Sequence, residues 1–374
     1  MILISNATHS QDINGKLGTG EQFIIRDTAN TFLTLSQSTG NLTLNRSLIL
    51  PSTSAGSQLG TIFKGTNRFL HTYYGIGTAG NNTFLGINSG NFTLGGSSSN
   101  DGSNNTAVGY NSLSSLTIGS ENSAFGVLSL YSNTTGSRNS AFGVLSLYSN
   151  TTGYYNSAFG NYSLYTNTTG FYNSAFGNYS LSNYLTGNYN TALGYYAGTI
   201  ITTGSNNTAI GYNAQVPSGT ASNQIRLGNT AITYAGIQVA WTVTSDRRYK
   251  DNITPIGLGL GFISKLNPVS YTRKNDENHK TEYGLIAQEV EEVLKSEGIE
   301  NHAMLTVTDE GIYELRYNDL LAPMIKAIQE LKDDNEKKDK KIAELEIQLN
   351  NIMQVINELK LNQNYSYEVK LTQK

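Results

Sequence analysis

The chain has 374 residues, a formal net charge of −3, four histidines and no cysteine. That length admits two or three domains. The near-neutral charge gives no general attraction to nucleic acid or anionic membrane, and the missing thiol removes disulfides, cysteine nucleophiles and cysteine metal sites. His9, His71, His279 and His302 stand too far apart for metal-ligand spacing and read as ordinary surface or partly buried side chains. Neither a metal nor a cofactor is expected.

No apolar run approaches the roughly 20 residues of a membrane-crossing helix. The stretch Met1-Ile2-Leu3-Ile4-Ser5-Asn6 has no basic region before it and is too short for a secretory signal. Charge is distributed unevenly. Residues 1–244 carry 7 Lys+Arg, 5 Asp+Glu and 32 of the 38 glycines, while 245–374 carry the other 18 and 23 charges. Two differently built pieces meet near Ser245.

In chain order, residues 1–79 form a β-rich segment. The short runs Phe23-Ile24-Ile25, Phe32-Leu33-Thr34-Leu35 and Asn41-Leu42-Thr43-Leu44 are bounded by turn residues, which predicts short strands. From residue 80 to 240 a repeat takes over. Ala107-Val108-Gly109, Ala124-Phe125-Gly126, Ala141-Phe142-Gly143 and their successors to Ala209-Ile210-Gly211 place a glycine every 17 residues. Ile225-Arg226-Leu227-Gly228 keeps the step, and Phe84-Leu85-Gly86 is an earlier copy displaced by an insertion near Gly95–Ser103. A fixed period of this kind predicts stacked units that bury a core only against their neighbours. Strand alternation would send Ala124, Gly126, Leu128 and Leu130 one way and Phe125, Val127 and Tyr131 the other. Both faces are then partly apolar, and the reading is a parallel β-roll or β-solenoid, trimeric, with one face open to partner chains.

Two features of the repeats have a bland and a functional reading. The triplets that begin at Asn133, Asn150, Asn161 and Asn167 fit glycosylation acceptors, or simply a segment rich in Asn and Thr. The pairs Tyr154-Tyr155, Phe171-Tyr172 and Tyr195-Tyr196 suit core or interchain packing, or stacking on the sugars of a host-surface receptor. The Asn-Ser/Thr-Ala-x-Gly pattern over about 80–230 resembles the left-handed β-roll heads of trimeric bacterial adhesins and the shafts of some viral fibres.

Past Trp241-Thr242-Val243-Thr244 comes Ser245-Asp246-Arg247-Arg248-Tyr249-Lys250. A serine hydroxyl is a weak nucleophile until a neighbouring base takes its proton, and a lysine kept neutral by burial can be that base. Asp246 and Glu282 are the next candidates for the base. The glycines at 257, 259 and 261 make neither a dinucleotide fingerprint nor a phosphate loop. An amphipathic segment follows at Leu258–Leu266, then a strand at Pro268–Tyr271, a helix opening over Tyr283–Val290 with Val290, Val293 and Leu294 on one face, and a strand at Ile312–Tyr317. The final helix, opening near Asn318 or Asp319, places Leu321, Met324, Ile328, Leu331, Asn335, Lys338, Ile342, Leu345, Leu349, Ile352, Ile356 and Leu359 in steps of three and four. That spacing is the seam of a coiled coil, with Asn335 and Lys338 as register-setting polar positions.

Several separated motifs agree in order: Ser245-Asp246-x-Arg248-x-Lys250, Leu266-x-Pro268-Val269-x-Tyr271, Tyr283-Gly284-Leu285-Ile286-Ala287-Gln288-Glu289-Val290, and Tyr317-x-x-Leu320 leading to Ile325-x-Ala327-Ile328-Gln329-Glu330-Leu331. Over about 241–360 they resemble the endosialidase-type intramolecular chaperone family, self-cleaving C-terminal domains of phage tail spikes and viral fibres. The resemblance implies a domain that trimerises, templates the upstream β-fibre and releases itself at a Ser-Lys dyad. Ser245 would be the nucleophile and Lys250 the base of a single-turnover serine peptidase. The cut bond is Thr244–Ser245 or Ser245–Asp246, since either carbonyl lies beside the hydroxyl.

The expected organisation is therefore a β-rich segment (1–79), β-roll repeats (80–240), a small α+β chaperone domain (241–320), a trimeric coiled coil (321–362) and a tail (363–374). The expected role is a homotrimeric fibre or adhesin of a virion or cell surface, with a host receptor or glycan as partner, no nucleic acid and no membrane insertion. The alternative is a non-cleaving adhesin whose C-terminal domain is a trimerisation foot. A glycosidase is disfavoured, because the repeats hold almost no carboxylates for the acid–base pair such chemistry needs.

Overall fold

The structure is a computed structural model and describes residues 22–26, 31–36, 42–44, 50, 60–274 and 276–371. The chain divides into two compact units, Met1–Ala214 with Ser222–Leu227, and Gln215–Ala221 with Gly228–Lys374.

In the first unit, β1 (Gln22–Arg26), β2 (Thr31–Ser36) and β3 (Leu42–Leu44) form an antiparallel meander on the three apolar runs expected to be strands. Next, β4 (Ile62–Lys64) and β5 (Asn67–His71) pair antiparallel and lead into β6 (Thr83–Leu85). From β6 onward every pairing is parallel: β7 (Thr106–Val108), β8 (Ser123–Phe125), β9 (Ser140–Phe142), β10 (Ser157–Phe159), β11 (Ser174–Phe176), β12 (Thr191–Leu193), β13 (Thr208–Ile210) and β14 (Ile225–Leu227) stack in sequence order. This is a β-solenoid in which each coil places Ala on Ala and Phe on Phe, as in Ala124↔Ala141 and Phe125↔Phe142.

The coil core is filled by columns of like residues. Ala124, Leu130, Asn133 and Asn139 and their equivalents 17 residues on are fully buried. Burying an amide without partners costs about 1–3 kcal/mol per orphaned group, so the asparagines are stacked to satisfy one another. The Oδ1 of Asn139 accepts from the backbone N–H of Asn156 at 3.0 Å and from its Nδ2 at 3.2 Å, and Asn156 Nδ2 also donates to Gly170 O at 2.7 Å. The ladder continues from Asn82 to Asn207. A second column, Asn133, Asn150 and Asn167, is linked at 2.8 and 2.7 Å. It ends where Tyr184 takes the next position, and Asn167 Oδ1 is left buried without a partner.

The simple alternation expected along each coil holds for three residues only. Ala124 is buried and Phe125 faces out, but Leu128 is partly exposed while Ser129 and Leu130 are both buried. The cause is the backbone: Leu128 and Leu130 have φ of 59° and 50°, and Arg138 has φ of 59°, so each coil turns its corners through left-handed residues. Gly143 (φ 139°) sits at one such corner, where a methyl on its Cα would lie 2.5 Å from Gly160 O in the next coil.

In the second unit, a 3-10 turn at Arg247–Tyr249 is followed by α1 (Leu260–Ile263), the hairpin β15 (Val269–Thr272) and β16 (Thr281–Gly284), and α2 (Ala287–Ser296). A second hairpin, β17 (Leu305–Val307) and β18 (Tyr313–Leu315), precedes a 3-10 turn at Tyr317–Leu320 and α3 (Leu321–Leu371). Phe262, Val290, Leu294, Met304 and Leu320 make one small core, with Leu258, Leu266, Leu285 and Leu315 packed around it. The helix α3 opens after the expected Asn318, because Tyr317–Leu320 is wound as a 3-10 turn first. Its first turns are anchored by buried Pro323 and Ala327, and from 331 to 361 every residue is exposed.

Candidate functional site

The junction segment folds locally by a short device. Asp246 caps the 3-10 turn by accepting from the backbone N–H of Arg248 at 2.8 Å, and the Arg248 guanidinium returns to both carboxylate oxygens at 2.7 to 3.1 Å. Tyr249 N–H and Lys250 N–H close the turn on the carbonyls of Asp246 and Arg247, each at 3.1 Å. Lys250 then leaves in extended conformation (φ −129°, ψ 127°). Its side chain is thereby brought back along the turn, and Lys250 Nζ donates to Ser245 Oγ at 2.6 Å. Both side chains are exposed in the single chain.

The sequence-predicted pair, Ser245 and Lys250, therefore meets. The two fallback bases are engaged elsewhere. The Arg248 guanidinium beside Asp246 holds its carboxyl below the usual carboxylate range. Glu282, on β16, accepts from Arg273 Nε at 2.9 Å and from Tyr271 hydroxyl at 3.1 Å, and the arginine lowers its proton affinity too. Each carboxylate thus carries its own arginine, and Lys250 is the group on Ser245. Sequence reasoning missed the Asp246–Arg248 clamp, although the Asp-x-Arg spacing was its signal.

The other motif residues hold this domain together. Tyr317 hydroxyl accepts from Leu285 N–H at 2.9 Å and so ties the entry of α2 to the turn before α3. Glu330 on α3 accepts from Leu260 N–H at 2.7 Å, which caps α1. A methyl on Gly259 would meet the Glu330 carboxylate, so a substitution there would displace the group that caps α1.

The solenoid's ambiguous residues are also placed. Asn133, Asn150 and Asn167 are fully buried in their column and are structural, whereas Asn161 is exposed and accepts from Val144 N–H at 2.9 Å. The paired aromatics are not core. They form outward ladders, Tyr155 on Tyr172 at 4.8 Å and Tyr172 on Tyr189 at 5.4 Å, with Tyr154 on Phe171 alongside at 4.9 Å. His71, expected at the surface or partly buried, lies fully buried between Phe84 and Phe92. Its Nδ1 accepts from Tyr73 N–H and its Nε2 donates to Ser89 O at 2.9 Å. Among the described residues no helix is long and apolar enough to cross a membrane.

Residues 245–299 match the family described as chaperone of endosialidase. The matched stretch begins at Ser245, runs through α1, the first hairpin and α2, and falls wholly within the second unit. Comparison of the chain with curated proteins and with solved structures finds no match.

Proposed function

We propose that the chain is a homotrimeric fibre protein of a phage tail or comparable surface fibre, whose C-terminal domain aids assembly of the solenoid and then releases itself beside Ser245. The observation that carries the reading is the contact of Lys250 Nζ with Ser245 Oγ, 2.6 Å, at the first residue of the stretch that matches the endosialidase chaperone family. In the reaction, Lys250 in its amine form would accept the proton of Ser245 Oγ, the reverse of the hydrogen bond it donates here. The oxygen would add to the carbonyl carbon of Thr244 or Ser245, the C–N bond would break as Lys250 returns that proton to the amide nitrogen, and water would hydrolyse the resulting ester. The chain is its own substrate and turns over once.

The trimer is supported by α3. From Ile328 to Leu359 the apolar seam residues are exposed, with Ile328, Leu349 and Leu359 each more than half so. Past the first turns that pack on its own domain, a helical stretch exposed at every residue from 331 to 361 gains little from propensity alone. Packing its seam against parallel copies covers it.

A denaturing gel of freshly assembled protein tests the reading. Cutting leaves two bands, the smaller holding residues 245–374, about a third of the 40.6 kDa chain. N-terminal sequencing of that band distinguishes a start at Ser245 from one at Asp246. A single uncut band in a trimeric product points instead to a non-cleaving trimerisation foot.

A further inference from the structure

The outward-facing residue of the solenoid strands behaves unlike its neighbours. From Leu85 on β6 to Leu227 on β14 the last residue of each strand is Leu, Val, Phe, Phe, Phe, Phe, Leu, Ile and Leu, without one polar side chain in nine coils. The columns beside it do accept polar residues. The first strand residue is Ser or Thr in nearly every coil, and the two columns past the glycine include Asn161, Asn178, Asn111 and Asn213. The phenylalanines stack at 4.7, 4.8 and 4.9 Å with rings within 6° of parallel. Among the described residues the stripe is left partly open along its length, with Phe176 40 %, Leu193 51 % and Leu227 57 % exposed.

We infer that this stripe is the face by which the solenoids of neighbouring copies pack together, coil against like coil, along the fibre axis. The inference rests on the homotrimer reading above and adds which face of the solenoid is buried in it. Three observations select a copy of this chain as the occupant. First, the stripe is continuous over the whole parallel stack, so its partner must be equally long and must repeat at the strand spacing of about 4.8 Å. A second solenoid does so by construction. Second, the α3 seam calls for parallel copies, and parallel copies bring the same coil of each chain to the same height. Third, Leu85, Phe176, Leu193, Ile210 and Leu227 are 36–57 % exposed and the other four stripe residues partly so, which, at about 150–250 Å² for an aromatic side chain, leaves on the order of 500 Å² open. That is near the top of the range for a patch on a free monomer and, with Val127 and Val144 beside it, approaches the roughly 800 Å² per partner of a stable interface. The tyrosine ladder at Tyr155, Tyr172 and Tyr189 is different. It spans three coils and keeps its hydroxyls, and so remains outside the interface.

The chain has no cysteine, so one introduced thiol reports on one position. Phe159→Cys on the stripe and Tyr172→Cys on the tyrosine ladder are made in full-length Ser245→Ala protein, so that residues 245–374 stay attached. Each is oxidised mildly at several dilutions, resolved on a non-reducing denaturing gel, and sized natively by sedimentation. Leu193→Cys repeats the stripe measurement at a more exposed position in case Phe159→Cys does not fold. The expected result is trimers throughout, with a covalent dimer band from Phe159→Cys or Leu193→Cys that is independent of dilution, and none from Tyr172→Cys. Trimers in which neither stripe position links, or in which Tyr172→Cys links as well, overturn the assignment of the face and leave the trimer standing. Monomers in every sample overturn the trimer reading itself.

Discussion

Ser245 and Lys250 are five residues apart, a spacing that says little until the residues between them are considered. The turn capped by Asp246 and clamped by Arg248 converts that spacing into a 2.6 Å contact. Ser245→Ala and Lys250→Ala should each give uncut trimers on a denaturing gel, because folding needs neither side chain. Lys250→Arg should also stay uncut, since a guanidinium keeps its proton at any accessible pH. Arg248→Ala leaves both reacting groups but frees the turn, so cutting should slow by about tenfold without loss of the trimer, as expected for a positioning group. The pairing of Ser245 with Lys250 was legible in the sequence through the motif. The clamp was legible only as an Asp-x-Arg that any surface turn might carry. His71 was not legible at all, because its burial depends on Phe84 and Phe92, brought to it by sheet pairing. Burial, with Arg68 nearby, pushes its imidazole down to about 4 against the opposing pull of the Ser89 carbonyl. The unfolded chain takes up that proton near 6.5, so stability should fall as pH drops from about 6.5 to about 4, by on the order of 1 kcal/mol per pH unit. His71→Gln should flatten that part of the curve when denaturant midpoints are compared at pH 7 and pH 4.5. An unchanged slope would mean that other groups set it.

Among the elements, the 17-residue period placed the strands and their parallel stacking in advance, since Ala-x-Gly recurs without slippage from Gly109 to Gly211 and the glycine step holds to Gly228. The path between strands was hidden. Period-2 reasoning assumes extended backbone, and leucines at φ near 50–60° turn the chain where a sequence reader expects glycine or asparagine. The stacked asparagines were equally hidden, because a buried amide and a surface amide are the same letter. Their energetic weight can be measured. Asn156→Ala removes the acceptor of Asn173 N–H and the donor to Gly170 O, both inside the coil. With about 1–3 kcal/mol per orphaned group, a loss of roughly 2–5 kcal/mol is expected in chemical denaturation. Asn161→Ala, on the exposed side, should cost less than about 1 kcal/mol. Equal costs for the two would mean the ladder is incidental. Gly143→Val should lower the melting temperature by more than Thr152→Val, because it meets a backbone carbonyl 2.5 Å away and must hold φ at 139°.

For the whole molecule, the two units pose opposite folding problems. The solenoid is stitched together by pairings between coils and, in the proposed trimer, between chains. Such non-local contacts form slowly because loop-closure entropy must be met before they stabilise anything, and open edges aggregate meanwhile. The seam on α3 forms from local helix and a few repeating contacts, so three copies joined there hold their solenoids at high effective concentration and in one register. Two results should follow. A chain ending at residue 320 should give insoluble or misregistered solenoids, seen as aggregate in sedimentation, whereas the full chain gives trimers. With the proposed cut made, the aid would be gone and the fibre would be held by its unfolding barrier rather than by equilibrium. Denatured and then diluted, uncut Ser245→Ala trimers should recover their native size, while cut fibres, separated from residues 245–374, should not. Both should unfold at similar rates beforehand, because the contacts broken first lie within the solenoid. Recovery of cut fibres to the same extent as uncut ones would show that the solenoid assembles unaided, and the release of the C-terminal domain would then need another purpose.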